Sequence, residues 1–535
     1  MSTTSNGHKD TDDGHRIVPA VLCLAGDRTF GRFNKHKYLY RCLPLVSHDA
    51  VLLPFDRMAF LKRQHESAKK TKQKGQKEEG KDEEEAWHAN QRWSENHYVL
   101  IRRRPPVLVE RLGPVSDLVA FCRAQQWSLG LVHALSPTTA EWNQQLATTT
   151  SKPNEQNDEQ DNERNDEQKE KQELVLESSS SCFFSIDPVG CRDIDDAIGI
   201  VPGHVVVAIT NVVAFLDSMV SGWALLARSG AVSTLYGPSN EVPNVPMLPL
   251  GASLRADGTG KPCVCWYVPV DATGKPLFAN SFLRAETVVI QRNFAYDDDC
   301  GLAALAPYQT LCGYTPIAQK DSHDVVAYWM LEMNRWCGAR LAARGCGVFR
   351  TAVETHTRYG EECFRGRYVL LQGTKEGEDE DEKEKPEQLQ TGLHHAALHM
   401  DAYAQVTSPM RRLGDLVNQY LLLEAEPEGE EGRAFVDAFF QRNDFDDKMR
   451  RVRQYHFDTT LFSLAPVLAS QTSLRARVLD IDDKAVVRVA YLDTSFLSEV
   501  VLLAPCRVQD EIQVRLVHCE HEHRMHWKMR LEHVL

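Results

Sequence analysis

The spacing of apolar residues predicts a chain of mixed α and β structure. Between residues 16 and 131, short apolar runs alternate with turn residues, a pattern typical of small β-barrels. A continuous apolar run at 205–209 predicts a buried strand, and apolar residues recurring every three or four positions over 325–344 predict a helix. From residue 474 onward, five β-type runs separated by short turns predict a further barrel of the OB type.

Charged segments interrupt this pattern and suggest domain boundaries. The first 15 residues, an insert at about 66–92, a linker at 146–180 and an insert at 374–389 are polar or strongly charged, as disordered segments are. Residues 151–180 carry a net charge of −6 and residues 375–387 carry −5, out of −14 for the 535-residue chain. The remainder is nearly neutral, so the acidic total does not exclude a nucleic-acid partner.

Arginine clusters could line a basic channel for such a partner, although a solvated surface is the simpler explanation for each one alone. The clusters are 102–104, 411–412, and 450–453 with its three arginines.

The fourteen cysteines show neither CxxC pairs nor zinc spacing, and the sequence has no secretory signal. We therefore expect free thiols in an intracellular protein of the cytoplasm or nucleus. The first residues are not Arg-rich, which disfavours a mitochondrial presequence but leaves that address open. No run is long enough to cross a bilayer. The alternating His and acid pattern at 518–523 is interpreted as a solvated strand end, not a metal site.

Four aspartates within ten residues give the strongest chemical signal. They are Asp187, Asp193, Asp195 and Asp196. The apolar run at 205–209 follows them, and carboxylates buried together need a proton, a basic residue or a cation. Oxygen ligands favour magnesium or manganese. A second copy of the Asp-Ile-Asp-Asp sequence, at 480–483, lies between two β-type runs and predicts a hairpin turn.

The segment 403–417 gives the second signal. Ser408 and Pro409 predict a helix start, with Arg411 and Arg412 in the first turn, where cations oppose the helix dipole unless a phosphate binds there. The alternative is a side-chain pair between Arg412 and Asp415, with the other arginine solvated.

Together the two motifs resemble the RNB catalytic domain of the exoribonuclease II family, which includes bacterial RNase R and the eukaryotic exosome-associated nucleases. Asp187-Pro188 followed by DIDDA at 193–197 matches one family motif, and residues 407–412 match its TSPIRR motif. Residues 246–249 and Ser253-Leu254 are similar to further family segments. Residues 104–118 resemble the end of a cold-shock domain in the exosome-associated branch, to which the likeness is closest.

The resemblance implies a multidomain α+β chain. Cold-shock-like barrels would occupy 16–145, an α/β RNB catalytic domain 181–470, and an S1-type OB-fold barrel 471–535. It further implies a magnesium-dependent enzyme, with manganese as the other candidate, that hydrolyses single-stranded RNA from the 3′ end to nucleoside monophosphates. An exosome-like or ribonucleoprotein assembly is a further candidate partner, and a membrane is not.

The resemblance also assigns roles to single residues. The metal ligands would be Asp187, Asp193, Asp195 and Asp196, with Asp195 the residue most needed for chemistry. The RNA-binding residues would be Tyr236, Arg411, Arg412 and Gln454, with Arg411 at the scissile phosphate as a catalytic residue and Tyr236 stacked on a base.

Several positions depart from the family pattern. Residues 208–213 lack a histidine and a carboxylate, Gln419 falls where His-Arg is common, and Gln454 falls where a glutamate is expected. These departures keep open a catalytically weak RNB-fold protein that binds RNA or scaffolds an assembly. A metal-dependent phosphatase or DNA nuclease is a third class, but it has no use for two OB-type regions.

Overall fold

The structure is a computed structural model. It describes residues 16–46, 49–56, 96–131, 142, 144, 182–239, 241–296, 301–317, 321–356, 362–372, 392–423, 430–481, 485–491, 494–519 and 528–534. The predicted tail, the inserts at 66–92 and 374–389, the linker at 146–180 and residues 482–484 of the predicted turn therefore lie outside the described residues, as do residues 520–527 of the histidine-rich segment.

The strands, in chain order, are β1 (Ile17–Leu22), β2 (Tyr38–Pro44), β3 (Val51–Phe55), β4 (His97–Arg102), β5 (Val107–Pro114), β6 (Cys182–Asp187), β7 (Asp196–Val201), β8 (His204–Thr210), β9 (Gly260–Pro269), β10 (Phe282–Val289), β11 (Arg292–Ala295), β12 (Gly347–His356), β13 (Glu362–Leu371), β14 (Leu474–Ile481), β15 (Ala485–Tyr491), β16 (Thr494–Val500), β17 (Glu511–Cys519) and β18 (Lys528–Val534). The α-helices are α1 (Leu118–Ser128), α2 (Val212–Asp217), α3 (Gly222–Ser229), α4 (Ala306–Tyr314), α5 (Ser322–Ala343), α6 (Leu413–Leu423), α7 (Glu430–Phe440) and α8 (Phe445–Ser470). Short 3₁₀ turns occur at Ala25–Asp27, Leu250–Ala252, Phe278–Asn280 and Ala396–Leu398.

The chain forms two compact units. The first combines Met1–Val132, Tyr236–Asn244 and Arg451–Leu535, and the second combines His133–Leu235 and Val245–Arg450.

The first unit contains two five-stranded antiparallel sheets with the same relative strand order. The N-terminal sheet runs β3-β2-β1-β4-β5 and the C-terminal sheet runs β16-β15-β14-β17-β18. Each has its own apolar core, and α1 adds a third cluster in which Phe121 stacks on Phe462 at a ring distance of 4.1 Å. The five predicted β-runs after residue 474 are thus present as strands.

The second unit is built on a six-stranded sheet in the order β10-β9-β8-β7-β6-β11, in which β6 and β11 are parallel. Strand β8 is buried on both faces, which confirms the prediction from its uninterrupted apolar run. Val205 and Val207 pack towards α5 with Trp329, while Val206 and Ala208 pack into a second cluster on the other face. Helix α5 matches the predicted helix within a few residues.

The eleven cysteines whose side chains the structure describes are free thiols. In the described part of the chain, no helix combines the length and the apolar character that crossing a bilayer requires.

Candidate active site

The first motif lies at one end of two neighbouring internal strands of the six-stranded sheet, in the loop that connects them. Asp187 ends β6 and Asp196 begins β7, and the intervening loop turns at Gly190, which has a φ of 79°. Because β6 and β7 pair antiparallel, Asp187 at the end of β6 and Asp196 at the start of β7 lie at the same end of the strand pair. Asp187, Asp193 and Asp196 are half-buried and Asp195 is buried.

Ser253 holds this loop in place. Its hydroxyl donates to the Arg192 carbonyl oxygen at 2.9 Å and accepts from the Ile194 amide at 3.1 Å. The Leu254 amide donates to the Ile194 carbonyl oxygen at 3.0 Å, and the Thr210 amide donates to the Asp195 carbonyl oxygen at 2.9 Å. The loop backbone is therefore fixed by neighbouring segments, so Asp195 is positioned with little freedom.

The second motif meets the first at Asp195, more than two hundred residues away in the chain. The Met410 amide donates to Asp195 Oδ1 at 2.8 Å and the Arg411 Nε donates to Asp195 Oδ2 at 3.2 Å. The Asp195 side chain is 2% exposed, whereas that of Arg411 is 41% exposed. The guanidinium group thus connects a buried carboxylate to the solvent, where an anionic ligand can reach it.

The predicted helix start at Ser408 is wrong, because α6 begins at Leu413. The Ser408 carbonyl oxygen accepts from the Arg411 and Arg412 amides in a tight turn. The Leu413 amide donates to the Val232 carbonyl oxygen at 3.0 Å, so the segment pairs with residues 232–235 before it becomes helical. The arginine pair therefore lies in a turn ahead of the helix.

Arg412 adopts the alternative predicted for it. Its guanidinium donates to Asp415 Oδ2 at 2.7 Å, and the same oxygen accepts from the Ser408 amide at 3.0 Å. Asp415, which is 2% exposed, therefore fixes the turn and Arg412 together. Arg411 is partly exposed but is not solvated alone, as that alternative supposed, because it pairs with Asp195.

Burial dominates the electrostatics of the cluster. It raises the pKa of Asp195 to about 8, against the charge of Arg411 and the hydrogen bond from Met410. Burial and the charge of Asp187 raise the pKa of Asp196 to about 7. Burial also raises the pKa of Asp187, although a hydrogen bond from Ser185 at 2.7 Å opposes it. A bound cation would therefore stabilise these carboxylates in their charged form.

The residues fit a hard divalent cation in donor type and charge. In the described part of the chain the Asp196 carboxylate accepts no hydrogen bond, and Asp187 and Asp193 offer further oxygens beside it. Among the described residues, three ligand atoms lie within 4.8 Å of one another only at Asp321, His323 and Asp324, an exposed helix start where Asp321 and Asp324 form a capping box. No three carboxylates of the first motif therefore place their oxygens within 4.8 Å of one another.

Tyr296 is a residue near the carboxylates that the sequence reasoning missed. It follows β11, whose parallel pairing with β6 sets Ala295 opposite Asp187, and its amide donates to the Asp187 carbonyl oxygen at 3.0 Å. Burial raises the pKa of Tyr296 to about 12, with added contributions from the charges of Asp196 and Asp187. No local pattern marks this tyrosine, because its proximity arises from the sheet order.

Tyr236 and Gln454 belong to the first unit, whereas the four aspartates and Arg411 and Arg412 belong to the second. The Tyr236 amide donates to His456 Nε2 at 3.1 Å, and the two rings are 6.2 Å apart. Gln454 is exposed on α8. The RNA-binding roles of Tyr236 and Gln454 remain predictions.

The departures from the family pattern have structural roles in this chain. Asn211 caps α2 by accepting from the Ala214 amide at 3.0 Å. Gln419 is 2% exposed; it accepts from the Val212 amide at 3.0 Å and donates to the Thr210 carbonyl oxygen at 2.8 Å. Gln419 thus joins α6 to the end of β8, next to the loop that carries Asp195.

Replacing Gln419 by alanine is expected to destabilise the second unit by about 2–4 kcal/mol, because two buried backbone groups lose their partners. Thermal unfolding followed by circular dichroism would measure this as a lower melting temperature. Gln441→Ala, at an exposed position just after α7, is the matched control; it removes only an exposed hydrogen bond to Gln372 and should change the melting temperature little. Equal melting temperatures for the two variants would contradict the structural role of Gln419.

The sequence matches no protein-family model and no curated protein. Among solved structures, the apo form of Mycoplasma genitalium RNase R is similar over 97% of this chain and 90% of that chain, with 11% identity and a TM-score of 0.61. The same RNase R in complex with ribose methylated single-stranded RNA gives a TM-score of 0.59 at 11% identity, over the same 97% and 90% of the two chains. Yeast Ssd1, a pseudonuclease, is similar over 96% of this chain and 69% of its own length, with 12% identity and a TM-score of 0.51. The chain therefore has the mixed α/β, multidomain fold of RNase R, the RNB fold.

Proposed function

We propose that this protein is a magnesium-dependent 3′-to-5′ exoribonuclease that hydrolyses single-stranded RNA to nucleoside monophosphates, with manganese as a substitute ion. The observation that carries the proposal is the pairing of Arg411 with the buried Asp195 beside three half-buried aspartates. A cation site next to a partly exposed guanidinium group suits a phosphodiester, which needs both charge neutralisation and a fixed orientation.

The chain's own groups would divide the work. Asp187, Asp193 and Asp196 would hold the cation, which supplies Lewis-acid activation of water and of the phosphate. Asp195 holds the Met410 amide and the Arg411 guanidinium in one orientation, so that Arg411 binds the phosphate with little reorganisation. Arg412, fixed by Asp415, adds positive charge on the same turn.

Exposed aromatic rings and an arginine in the connection from β1 to β2 and at the start of β2 support an RNA substrate. Phe30, Phe33 and Tyr38 are exposed by 43%, 59% and 41%, and the Arg28 guanidinium lies 5.3 Å from the centre of the Phe30 ring. Interleaved aromatic and basic side chains are the usual surface for single strands, since every base can stack. We accordingly assign the N-terminal sheet to a cold-shock-like barrel and the C-terminal sheet to an S1-type barrel.

The second candidate is an RNA-binding or scaffolding protein without activity. The likeness to Ssd1, a pseudonuclease, favours it, since one fold serves active and inactive proteins. An exosome-like or ribonucleoprotein assembly would then be the partner.

Digestion of a 5′-labelled single-stranded RNA, with magnesium or with EDTA, would separate the two candidates. The enzyme should yield a ladder that shortens from the 3′ end only when magnesium is present, and it should leave a DNA strand of the same sequence intact. Release of nucleoside monophosphates from 3′-labelled RNA would establish the direction. Tight RNA binding without cleavage would overturn the nuclease and leave the scaffold.

A further inference from the structure

The antiparallel pair β12 and β13, which we call the arginine ribbon, carries three exposed arginines: Arg350, Arg365 and Arg367. We propose that the arginine ribbon is a second RNA contact that binds the sugar-phosphate backbone of a single strand. The proposal relies on the proposed function only for the identity of the ligand as RNA, and not for cleavage.

The base of the ribbon is attached to the segment that leads into the second motif. The Arg350 amide donates to the Tyr403 carbonyl oxygen at 2.9 Å, and the Tyr368 hydroxyl donates to Gln405 Oε1 at 3.2 Å. Residues 403–408 continue directly into Met410 and Arg411, which hold Asp195. The ribbon therefore begins beside the candidate active site and is rigidly connected to it.

The charges of two arginines act on Tyr403, in the segment that joins the ribbon to the second motif. Burial raises the pKa of Tyr403, and the charges of Arg412 and Arg350 both oppose that rise. Both guanidinium groups thus act on the same buried ring, one from the turn of the second motif and one from the ribbon.

In the outer half of β13, arginines lie on one face of the ribbon and an aromatic side chain lies on the other. Cross-strand pairing of Thr351 with Arg367 and of Val353 with Arg365 sets both arginines on one face, about 6.6 Å apart along the strand. Phe364, which is 52% exposed, points to the other face, as residues one position apart in a strand do. Residues 364–367 are all exposed, so this stretch has cations on one face and an aromatic ring on the other.

These arginines have no acidic partner among the described residues. Arg335, Arg412 and Arg515, by contrast, pair with carboxylates. Of the ribbon side chains that the structure describes, only Glu354 is acidic; its pairing with Phe364 sets it on the face opposite Arg365 and Arg367 and on the same face as Arg350. Unpaired guanidinium groups on one face and an exposed ring on the other fit an RNA strand that reaches both faces of the ribbon, because phosphates bind the arginines and a base stacks on the ring. An acidic peptide would use the cations alone.

The test measures RNA affinity of the full chain in EDTA, so that no cleavage occurs. The fluorescence anisotropy of a labelled single-stranded RNA would be followed from about 50 to about 300 mM salt. The double variant Arg365→Gln, Arg367→Gln should bind about tenfold more weakly at low salt, and its slope of log affinity against log salt should be shallower by about 1.4, since each phosphate contact contributes about 0.7. Phe364→Ala should weaken binding about fivefold without changing the slope.

The matched control is Arg228→Gln, Arg433→Gln, which removes the same charge from exposed positions on α3 and α7 and should bind within about twofold of wild type. Melting temperatures check that every variant folds. If the Arg365→Gln, Arg367→Gln variant binds RNA as tightly as the control variant, the proposed RNA contact on the arginine ribbon is wrong, but the proposed nuclease function is unaffected. Phe364→Ala without effect, together with equal competition by polyglutamate, would overturn RNA in favour of an acidic peptide. A wild-type chain that does not bind RNA overturns both proposals, whereas binding without cleavage in magnesium overturns the nuclease and leaves the ribbon standing.

Discussion

Replacing Asp195 by asparagine is expected to lower the rate of RNA hydrolysis by about 10²–10³-fold or more, the usual cost of losing one preorganised electrostatic contact. Asp195 accepts from the Met410 amide with one oxygen and from Arg411 with the other. An asparagine offers a single acceptor, so its NH₂ group would face one of these two donors. Arg411 would lose its orientation, and the cluster would lose a negative charge. Single-turnover cleavage of labelled RNA would measure the effect.

Asp480→Asn is the matched control, because it makes the same change in the second Asp-Ile-Asp-Asp copy. Asp480 is exposed at the end of β14, and its side chain accepts only from the adjacent Ile481 amide among the described residues. The control should cleave as wild type does. RNA affinity in EDTA should change little in Asp195→Asn, since Arg411 remains present. A variant that cleaves within about threefold of wild type would remove Asp195 from the chemistry.

The two copies of this tetrapeptide show what local sequence could predict. The apolar run behind Asp196 and the Pro-Gly turn ahead of it distinguish the first copy, and the structure sets that copy against Met410 and Arg411. Asp480 and Ile481, the described part of the second copy, end β14 on the surface. Sequence context within about twenty residues distinguishes the two copies, because the uninterrupted apolar run after the first copy predicts a buried strand.

Long-range contacts set the limit of such prediction. Gln419, which by sequence falls where His-Arg is common in the family, is buried and forms hydrogen bonds with the Thr210 carbonyl oxygen and the Val212 amide. Tyr296 reaches the carboxylates through the parallel pairing of β11 with β6. The sequence predicts the start of α6 too early, because the Leu413 amide donates to the Val232 carbonyl oxygen and the residues before it form a turn. These partners are far apart in the sequence, whereas periodicity and capping rules use only residues that are close together in the chain.

The first unit illustrates the same limit at the scale of domains. It assembles three separated stretches of chain, including the short piece Tyr236–Asn244. Strand patterns identify each stretch as β-rich or turn-like, but they carry no information on which stretches come together. Likewise, a fold shared with both RNase R and a pseudonuclease leaves activity to be decided by the carboxylates and their neighbours.

Replacing Asp196 by asparagine is expected to abolish cleavage and also to raise the melting temperature of the metal-free chain at pH 7.5 by about 2–4 °C, the shift that roughly 1 kcal/mol produces in a domain of this size. Burial and the neighbouring Asp187 raise the pKa of Asp196 from 3.8 to about 7. Between these two values the folded chain binds more protons than the unfolded chain, so its stability falls as pH rises. Asparagine removes this penalty because it does not ionise. Thermal unfolding in EDTA from about pH 5 to about pH 8 would show a shallower decline for the variant.

Manganese provides the opposite test on the same two proteins. If Asp196 holds a cation, saturating manganese should stabilise the wild type by about 2.7 kcal/mol at a hundredfold excess over its dissociation constant, and the variant by far less. Asp480→Asn should behave as wild type in both EDTA and manganese. A variant that is stabilised by manganese as strongly as the wild type would show that Asp196 is not a ligand, even if its cleavage were lost. A variant that melts below the wild type in EDTA would show instead that the carboxylate stabilises the metal-free fold, contrary to the direction of its pKa shift. Loss of cleavage, loss of manganese stabilisation and a gain in metal-free stability, found together, would establish that this carboxylate is retained for binding a cation at a cost to the fold.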